Sequence, residues 1–253
     1  MKYAQLIRLL VGRELTLRYK GSVIGIGWTL LNPVLTSAVL WYVFSFVFAS
    51  RLPSGQQFAP YLMAGILLNT FFNQGLMQAA DSIASNGGVL TKIYVPPQIF
   101  AISSALAGLT NFFIGMFPLA IVCFISGQPL AWTLPLVLVV GLALALLTAG
   151  LGLALSIMFI RFDDTRNIVA VLLMILLYLT PILYPASAMN STMQNIIYWN
   201  PLTSYLDIFR WAFSNNATPT LFSWIYMSIW SALALLLGTY IFKKYWPRTV
   251  AML

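Results

Sequence analysis

The chain of 253 residues has no histidine, a single cysteine and few charged side chains. One cysteine excludes an internal disulfide, and without histidine there can be no Cys–His or Ser–His catalysis and no zinc site of mixed thiolate and imidazole ligands. Charged residues make up 7% of the chain, against about 25% in soluble domains. A soluble fold of this size could not cover its surface with so few charges, so we expect an integral membrane protein.

Hydrophobic residues make up 60% of the chain and are concentrated in six runs that contain no Asp, Glu, Lys or Arg. A helix that crosses about 30 Å of hydrocarbon needs about 20 such residues. The predicted spans cover residues 28–50, 58–80, 99–126, 134–160, 168–184 and 221–242. We therefore predict an all-α integral membrane protein with one six-span domain over residues 1–253.

The distribution of basic residues predicts the orientation of these spans. Of the 13 Lys and Arg residues, only Arg51 and Arg210 fall on one side of the six runs. Loops rich in Lys and Arg stay in the cytoplasm, which predicts that both termini are cytoplasmic. Because the basic residues are spread along the chain, we expect no nucleic-acid partner.

Residues 1–27 have the pattern of an amphipathic helix at the cytoplasmic membrane surface. Its predicted apolar stripe consists of Tyr3, Leu6, Ile7, Leu10 and Leu17. Glu14 falls inside this stripe and could pair with Arg18, four residues later. A disordered basic tail is the alternative.

The loop over residues 81–98 is too polar to span a membrane and longer than a turn requires. Gly87-Gly88 should end the second helix and Pro96-Pro97 should precede the third, with a short helix over residues 89–94. The extra length predicts a cytoplasmic docking element, and an idle loop is the alternative.

Residues 185–219 are too apolar for an ordinary external loop, and prolines, including Asn200-Pro201, interrupt them. Short re-entrant helices in the outer leaflet would fit this pattern, where protein or water must satisfy the backbone. Asp207 and Arg210, three residues apart, could pair on one of these helices. An interfacial loop anchored by Trp and Tyr is the alternative.

The sequence contains no nucleotide-binding or nucleophile motif, so we expect no catalytic residue, no metal and no cofactor bound by this chain. The six runs also lack the ionisable residues on which ion-coupled transporters depend. Asp163-Asp164, flanked by Arg161 and Arg166, predicts a short cytoplasmic turn with local ion pairs rather than a metal site.

Short segments in a fixed order carry a family resemblance. They lie at residues 13–20, 25–33, 86–96, 161–164, 178–185, 199–202 and 209–210. Together they resemble the ABC-2-type permeases that export polysaccharides, including the O-antigen and teichoic-acid exporters. The turn departs from the family's usual Phe-Arg-Asp, because here Arg161 precedes Phe162 and two Asp residues follow.

The resemblance implies a permease homodimer in the bacterial inner membrane, bound to two copies of a separate ATPase that holds ATP and Mg. A lipid-linked polysaccharide would pass between the permeases, and residues 81–98 would dock in the ATPase. The residues expected to contact the ATPase are Asn86, Leu90, Lys92, Ile93, Tyr94 and Pro96. The residues expected to form the re-entrant gate are Asn200, Pro201, Asp207 and Arg210.

Aromatic side chains of the first and fifth spans are the predicted channel lining. They are Trp41, Phe44, Phe48, Tyr178 and Tyr184. Aromatic faces can stack on sugar rings, although ordinary helix packing is the alternative for each. Because the spans lack charge, a neutral glycan fits best, while an ABC-2 permease for small hydrophobic drugs or lipids and a non-transporting scaffold remain alternative hypotheses.

Overall fold

A computed structural model describes residues 2–19, 21–25, 27–52, 55–90, 95–214 and 217–250. Over these residues the chain forms α-helices, short 3-10 turns and no strand, which confirms the all-α prediction. The helices are α1 Lys2–Tyr19, α2 Gly27–Phe48, α3 Phe58–Ser85, α4 Gly87–Leu90, α5 Gln98–Ile125, α6 Val137–Arg161, α7 Asp164–Leu179, α8 Ser191–Trp199, α9 Pro201–Ser214 and α10 Leu221–Thr249.

Four helices in the described ranges are long and apolar enough to cross a membrane. They are α2 with its 3-10 extension, α5, α6 with its preceding 3-10 turn, and α10. Helix α3 has 28 residues, the same length as α5, but polar side chains lower its hydropathy. Helix α7 has only 16 residues, or about 24 Å.

Helix α7 ends five residues before the predicted end of the fifth run. Thr180 is extended, with ψ of 136°, as expected for a residue that precedes a proline. Pro181 also lacks the N–H that would continue the helix. The sequence therefore stops α7 in the outer part of its apolar run, and residues 180–183 continue as buried, non-helical chain.

Helix α3 lies at the centre of the fold, packed against α5 and α6. Its buried side includes Leu62, Leu68 and Ile83, none of them exposed to solvent. Helix α6 packs closely along α10, where a Cβ atom on Gly238 would overlap the carbonyl group of Gly150. Small residues at such a crossing allow two backbones to approach closely within a membrane.

The segment between α3 and α5 follows the predicted boundaries only in part. Helix α3 ends at Ser85 and α5 begins at Gln98, directly after the two prolines, as expected. The short helix α4 begins at Gly87 rather than at residue 89, because Asn86 continues the chain with only a slight break. Residues 91–94 lie outside the described residues.

Helix α1 packs against α5, and this contact decides which of its faces is covered. The half-buried residues are Leu6, Ile7, Leu10, Val11, Glu14 and Leu15. Tyr3 and Leu17 of the predicted apolar stripe lie outside this covered face and are 56% and 51% exposed, and contact of the stripe with the membrane stays a prediction. Glu14 lies within the covered stripe and accepts a hydrogen bond of 2.6 Å from the Ser104 hydroxyl of α5, while the side chain of its predicted partner Arg18 lies outside the described set.

Candidate translocation pathway

One face of α3 is polar through the middle of the helix. Thr70, Gln74 and Gln78 recur every four residues, and Asn69 and Asn73 lie beside them. Residues four apart lie on the same side of a helix, one turn above another. Polar side chains at membrane depth are costly against lipid and are kept where they face protein or a water-filled cavity.

This polar face opens onto a cavity of about 400 Å³ between α2, α3 and α5. Its polar lining residues are Ser22, Thr29, Asn32, Thr70, Gln74, Gln78 and Asn111, and its aromatic residues are Trp28, Phe71 and Phe112. Among the residues that the structure describes, no charged side chain lines it. Amide and hydroxyl groups can exchange hydrogen bonds with a ligand's hydroxyls, and aromatic rings offer flat apolar faces.

A second cavity of about 480 Å³ lies beside α1, toward the end of the same helices that is predicted to be cytoplasmic. Its lining includes Arg13 and Glu14 of α1 together with Ser103 and Ser104 of α5. Gln78 lines both cavities, so the two adjoin at this residue, and together they are called the groove below. The groove carries charge at the end beside α1, here called its mouth, and amide and hydroxyl groups farther in.

Asn86 joins α1 to the end of α3. Its side-chain oxygen accepts a hydrogen bond of 2.8 Å from Arg13, and its side-chain nitrogen donates to the Ser82 carbonyl at 2.7 Å. This predicted ATPase-contact residue therefore also positions the amphipathic helix at the mouth of the groove. Leu90 is half-buried against a small apolar cluster at this end, and the Pro96 carbonyl accepts from the N–H of Ile99.

The other predicted ATPase-contact residues, Lys92, Ile93 and Tyr94, lie outside the described residues.

The turn between α6 and α7 contains the predicted local ion pair. Arg166 lies 3.0 Å from Asp163, which confirms that prediction. Arg166 also forms an ion pair of 2.7 Å with Asp81, near the end of α3. The hydrogen bond from Arg166 to Asp81 is the largest influence that raises the pKa of the guanidinium group above its usual value. Arg161 instead donates to the Thr249 hydroxyl at 3.2 Å.

Arg210 of α9 is buried and bonded to backbone carbonyl groups. Its guanidinium donates to the carbonyl oxygens of Tyr61 at 3.0 Å and of Pro181 at 2.9 Å, and it stacks 3.4 Å from the centroid of the Tyr61 ring. The Tyr61 hydroxyl also donates to the Pro181 carbonyl, at 3.0 Å. The bonds to Pro181 satisfy a carbonyl group just beyond the end of α7, where the chain no longer forms helical hydrogen bonds.

The predicted pairing of Asp207 with Arg210 is wrong. Both ion pairs in the described part of the chain involve Arg166, and the Asp207 side chain is exposed. A buried guanidinium needs acceptors for its five N–H groups, and the broken backbone after α7 supplies several carbonyl oxygens in a fixed arrangement.

Asn200 joins the start of α9 to the end of α7. Its side-chain nitrogen donates to the Thr180 hydroxyl at 2.8 Å, and its side-chain oxygen accepts from the N–H of Leu202 at 3.1 Å. Pro201 is the first residue of α9, a position where a missing N–H has no cost. Asn200, Pro201 and Arg210 thus gather around residues 180–183, here called the external knot after the predicted orientation of the spans.

The predicted channel aromatics fall into two groups. Phe44 and Phe48 stack with ring centroids 6.0 Å apart, and Phe48 lies 6.4 Å from Tyr184. These three pack against the core. Trp41 and Tyr178 are 44% and 52% exposed on the outer surface. Their role in the channel stays a prediction.

The aromatic prediction overlooked the polar face of α3. The signal was the spacing of Thr70, Gln74 and Gln78 within an otherwise apolar run. In the described part of the chain, no three Asp, Glu or Cys side chains gather closely enough to hold a metal ion.

Comparison with known proteins places this architecture in a family. The O-antigen export system permease protein RfbA of Myxococcus xanthus is 30% identical over 220 residues, which cover 86% of this chain and 84% of that protein. A Klebsiella pneumoniae protein of the same name is 24% identical, over 83% of this chain and 81% of its own length. The polysialic acid transport protein KpsM of Escherichia coli is 23% identical, over 95% and 92%. Residues 5–214 match the family described as the ABC-2 type transporter, and the chain therefore belongs to this family of membrane transport proteins.

Proposed function

We propose that this chain is the transmembrane subunit of an ATP-driven exporter that moves a lipid-linked polysaccharide out of the cytoplasm. The observation that carries the proposal is the polar, largely uncharged groove along α3. A polymer rich in hydroxyl groups cannot cross hydrocarbon, since each unpaired polar group costs several kcal/mol, about 4–8 on a water-to-cyclohexane scale. The groove supplies amides and hydroxyls at the depth where lipid cannot.

The substrate class follows from the groove together with the relatives. Three similar proteins carry names that refer to export or transport of O-antigen or polysialic acid. A glycan of the O-antigen or teichoic-acid type would suit a groove whose inner cavity has amide, hydroxyl and aromatic groups. A permease for small hydrophobic drugs or lipids would not need this polar face on α3.

The proposed topology has six spans, α2, α3, α5, α6, α7 and α10, with cytoplasmic termini in the inner membrane of a bacterium. Helix α3 would be tolerated as a span because its polar face is turned to the groove. Helices α8 and α9 would form the external re-entrant segment, with α9 almost wholly buried. The external knot would satisfy the backbone where the chain re-enters, as membrane depth requires.

The proposed assembly is a homodimer with two copies of a separate ATPase. Helices α2 and α7 support the dimer, since both expose broad apolar faces that could meet a second copy. Exposed residues of this kind on α2 are Leu35, Val39, Tyr42, Val43 and Phe46. The ATPase, which would hold ATP and Mg, would dock on residues 81–98.

The function is tested by purifying the chain with the ATPase encoded beside it and reconstituting the complex in vesicles. Lipid-linked glycan should stimulate ATP hydrolysis and appear in the opposite leaflet. Stimulation by small hydrophobic drugs and not by glycan would instead support the drug or lipid permease. No ATP-dependent movement of either class would refute transport by this complex.

Docking on residues 81–98 is tested separately. Ile93→Asp combined with Tyr94→Asp should sharply reduce co-purification of the ATPase, because burying an unpaired carboxylate in an interface costs several kcal/mol, on the order of 2–7. Phe162→Asp is the matched control, since Phe162 is exposed in the other described cytoplasmic turn. An intact complex with the double variant would show that the ATPase docks elsewhere.

A further inference from the structure

Helix α7 touches the rest of the protein through one narrow stripe. Its buried residues are Thr165, Val169 and Leu173, spaced four apart, and Leu176 and Leu177 continue the stripe, partly buried against the core. The apolar residues on its other faces are exposed: Ile168, Val171, Leu172, Met174, Ile175 and Tyr178. A helix that packs by a single stripe can tilt with little disruption of the core, so its position depends on what holds its two ends.

At the cytoplasmic end of α7, Arg166 supplies the hydrogen bonds to α3 that the structure describes. Arg166 donates two hydrogen bonds, of 3.0 and 2.7 Å, to the same carboxylate oxygen of Asp81. Arg166 lies in the first turn of α7, where a cation is unfavourable because the positive end of the helix dipole lies there. Its partners Asp81 and Asp163 offset that effect. Asp81 is on α3, five residues before Asn86 and at the start of the segment proposed to dock in the ATPase.

The external end of α7 is held differently, by buried contacts from two other helices. Asn200 binds the Leu179 carbonyl and the Thr180 hydroxyl. Arg210 and Tyr61 bind the Pro181 carbonyl. The two ends of α7 therefore differ in how easily their contacts break. Opening the external knot would leave buried backbone carbonyl groups without hydrogen bonds, which is costly, whereas an ion pair at the surface can change its geometry more readily.

We propose that the Asp81–Arg166 ion pair passes movement of the cytoplasmic end of α3 to α7, which then pivots about the external knot. Arg166 is in this sense a positioning residue for export. The inference rests on the proposed function, in which an ATPase docked on residues 81–98 moves the end of α3. Helix α7 also carries one of the exposed apolar faces proposed to meet the second protomer. A pivot of α7 would therefore move the two protomers relative to each other at the cytoplasmic side and leave their external sides in place.

The first test measures glycan exported per ATP hydrolysed by the reconstituted complex with its ATPase. Asp81→Asn and Arg166→Gln should lower this ratio about tenfold, the effect expected from loss of a charge-assisted hydrogen bond. Arg166→Lys should recover part of it. Asp163→Asn is the matched control, since it removes the other ion pair of Arg166 and leaves the link to α3, and it should export normally.

The second test replaces the ion pair with a covalent tether. The double variant Asp81→Cys and Arg166→Cys, in a Cys123→Ser background, should export little glycan per ATP hydrolysed. A short, reducible cross-linker that reacts with both thiols should then join the two residues. Cross-linking should restore export per ATP, and reductant should abolish the recovery. A merely structural role would not show this reversal.

Two outcomes would overturn the inference: a tethered complex no better than the untethered one, or Asp81→Asn exporting as well as Asp163→Asn. A parent complex that exports no glycan would refute the proposed function instead.

Discussion

Gln78 is the residue through which the proposed pathway can be tested most sharply. It lines both cavities, and therefore lies where the charged mouth of the groove meets the uncharged interior. Replacement by leucine keeps a similar volume and helix propensity, so α3 should fold and pack as before. What changes is that the wall loses one amide at the residue that the two cavities share.

The magnitude follows from the cost of an unmade hydrogen bond. A glycan hydroxyl that passes Gln78→Leu without a partner loses about 1–3 kcal/mol, which corresponds to an export rate about fivefold to 150-fold lower. The assay is the initial rate of lipid-glycan export by vesicles that contain the complex, normalised to the amount of assembled complex. Substrate-free ATP hydrolysis should stay near the parent rate.

Met77→Leu is the matched control, because Met77 is the neighbouring residue of α3 and packs against the core. Volume-conserving exchange there should leave export unchanged. Equal export by Gln78→Leu and the parent would refute the reasoning, since the groove would then not contact the glycan. Loss of assembly with normal export per surviving complex would show that Gln78 only packs.

Three further predictions concern the scaffold around the groove. Arg210→Met should lower the free energy of unfolding by about 3 kcal/mol, since the carbonyls of Pro181 and Ile182 in the external knot lose the hydrogen bonds that Arg210 donates. Thermal unfolding of the detergent-purified complex checks this, and an unchanged midpoint would contradict the role given to the knot. Gly238→Leu should reduce the yield of folded protein, because a Cβ atom at residue 238 overlaps the Gly150 carbonyl and overpacking costs about 1–3 kcal/mol or more. Leu236→Ala, at an exposed position of the same helix, is the control and should express normally. Equal yields of the two variants would show that α6 and α10 can separate freely. Asn86→Ala should weaken the attachment of α1 to α3 by about 1 kcal/mol, seen as faster proteolysis of residues 1–27, and unchanged proteolysis would mean that other contacts hold α1.

Helix positions were largely predictable from the sequence, because they depend on local properties. Each of the six apolar runs contains a helix, and α5 begins directly after Pro97 as expected. The early end of α7 was also predictable, because Pro181 lacks the N–H that would continue the helix and favours an extended conformation at Thr180. Apolar composition alone instead extends the run to residue 184.

The polar face of α3 was missed because hydrophobicity summed along a run does not show which side a residue faces. Gln74 and Gln78 count equally wherever they point, and only their spacing of four reveals a stripe. The contact of α1 with α5 could not be predicted from the apolar stripe alone, because the stripe does not show which of its residues meet protein and which meet lipid. Tyr3 and Leu17 lie outside the face that α5 covers, and their contact with the membrane stays a prediction.

The partners of Arg210 could not be predicted from local spacing. Its nearest acidic neighbour in sequence, Asp207, suggested an ion pair, but its acceptors include the Tyr61 carbonyl, 149 residues away in the chain. A backbone carbonyl carries no signal in the sequence. Only the three-dimensional meeting of α3, α9 and the end of α7 makes those oxygens available.

In the proposed function, the polar face of α3 lines a water-filled export pathway. The most direct test of this pathway is the water accessibility of Thr70→Cys in the assembled complex, compared with that of Leu236→Cys, both in a Cys123→Ser background. Thiolates react far faster than thiols and form only where water reaches, so residue 70 should react with a water-soluble thiol reagent and be protected by lipid-linked glycan, whereas residue 236 should not react. Residue 70 as unreactive as residue 236 would contradict the claim.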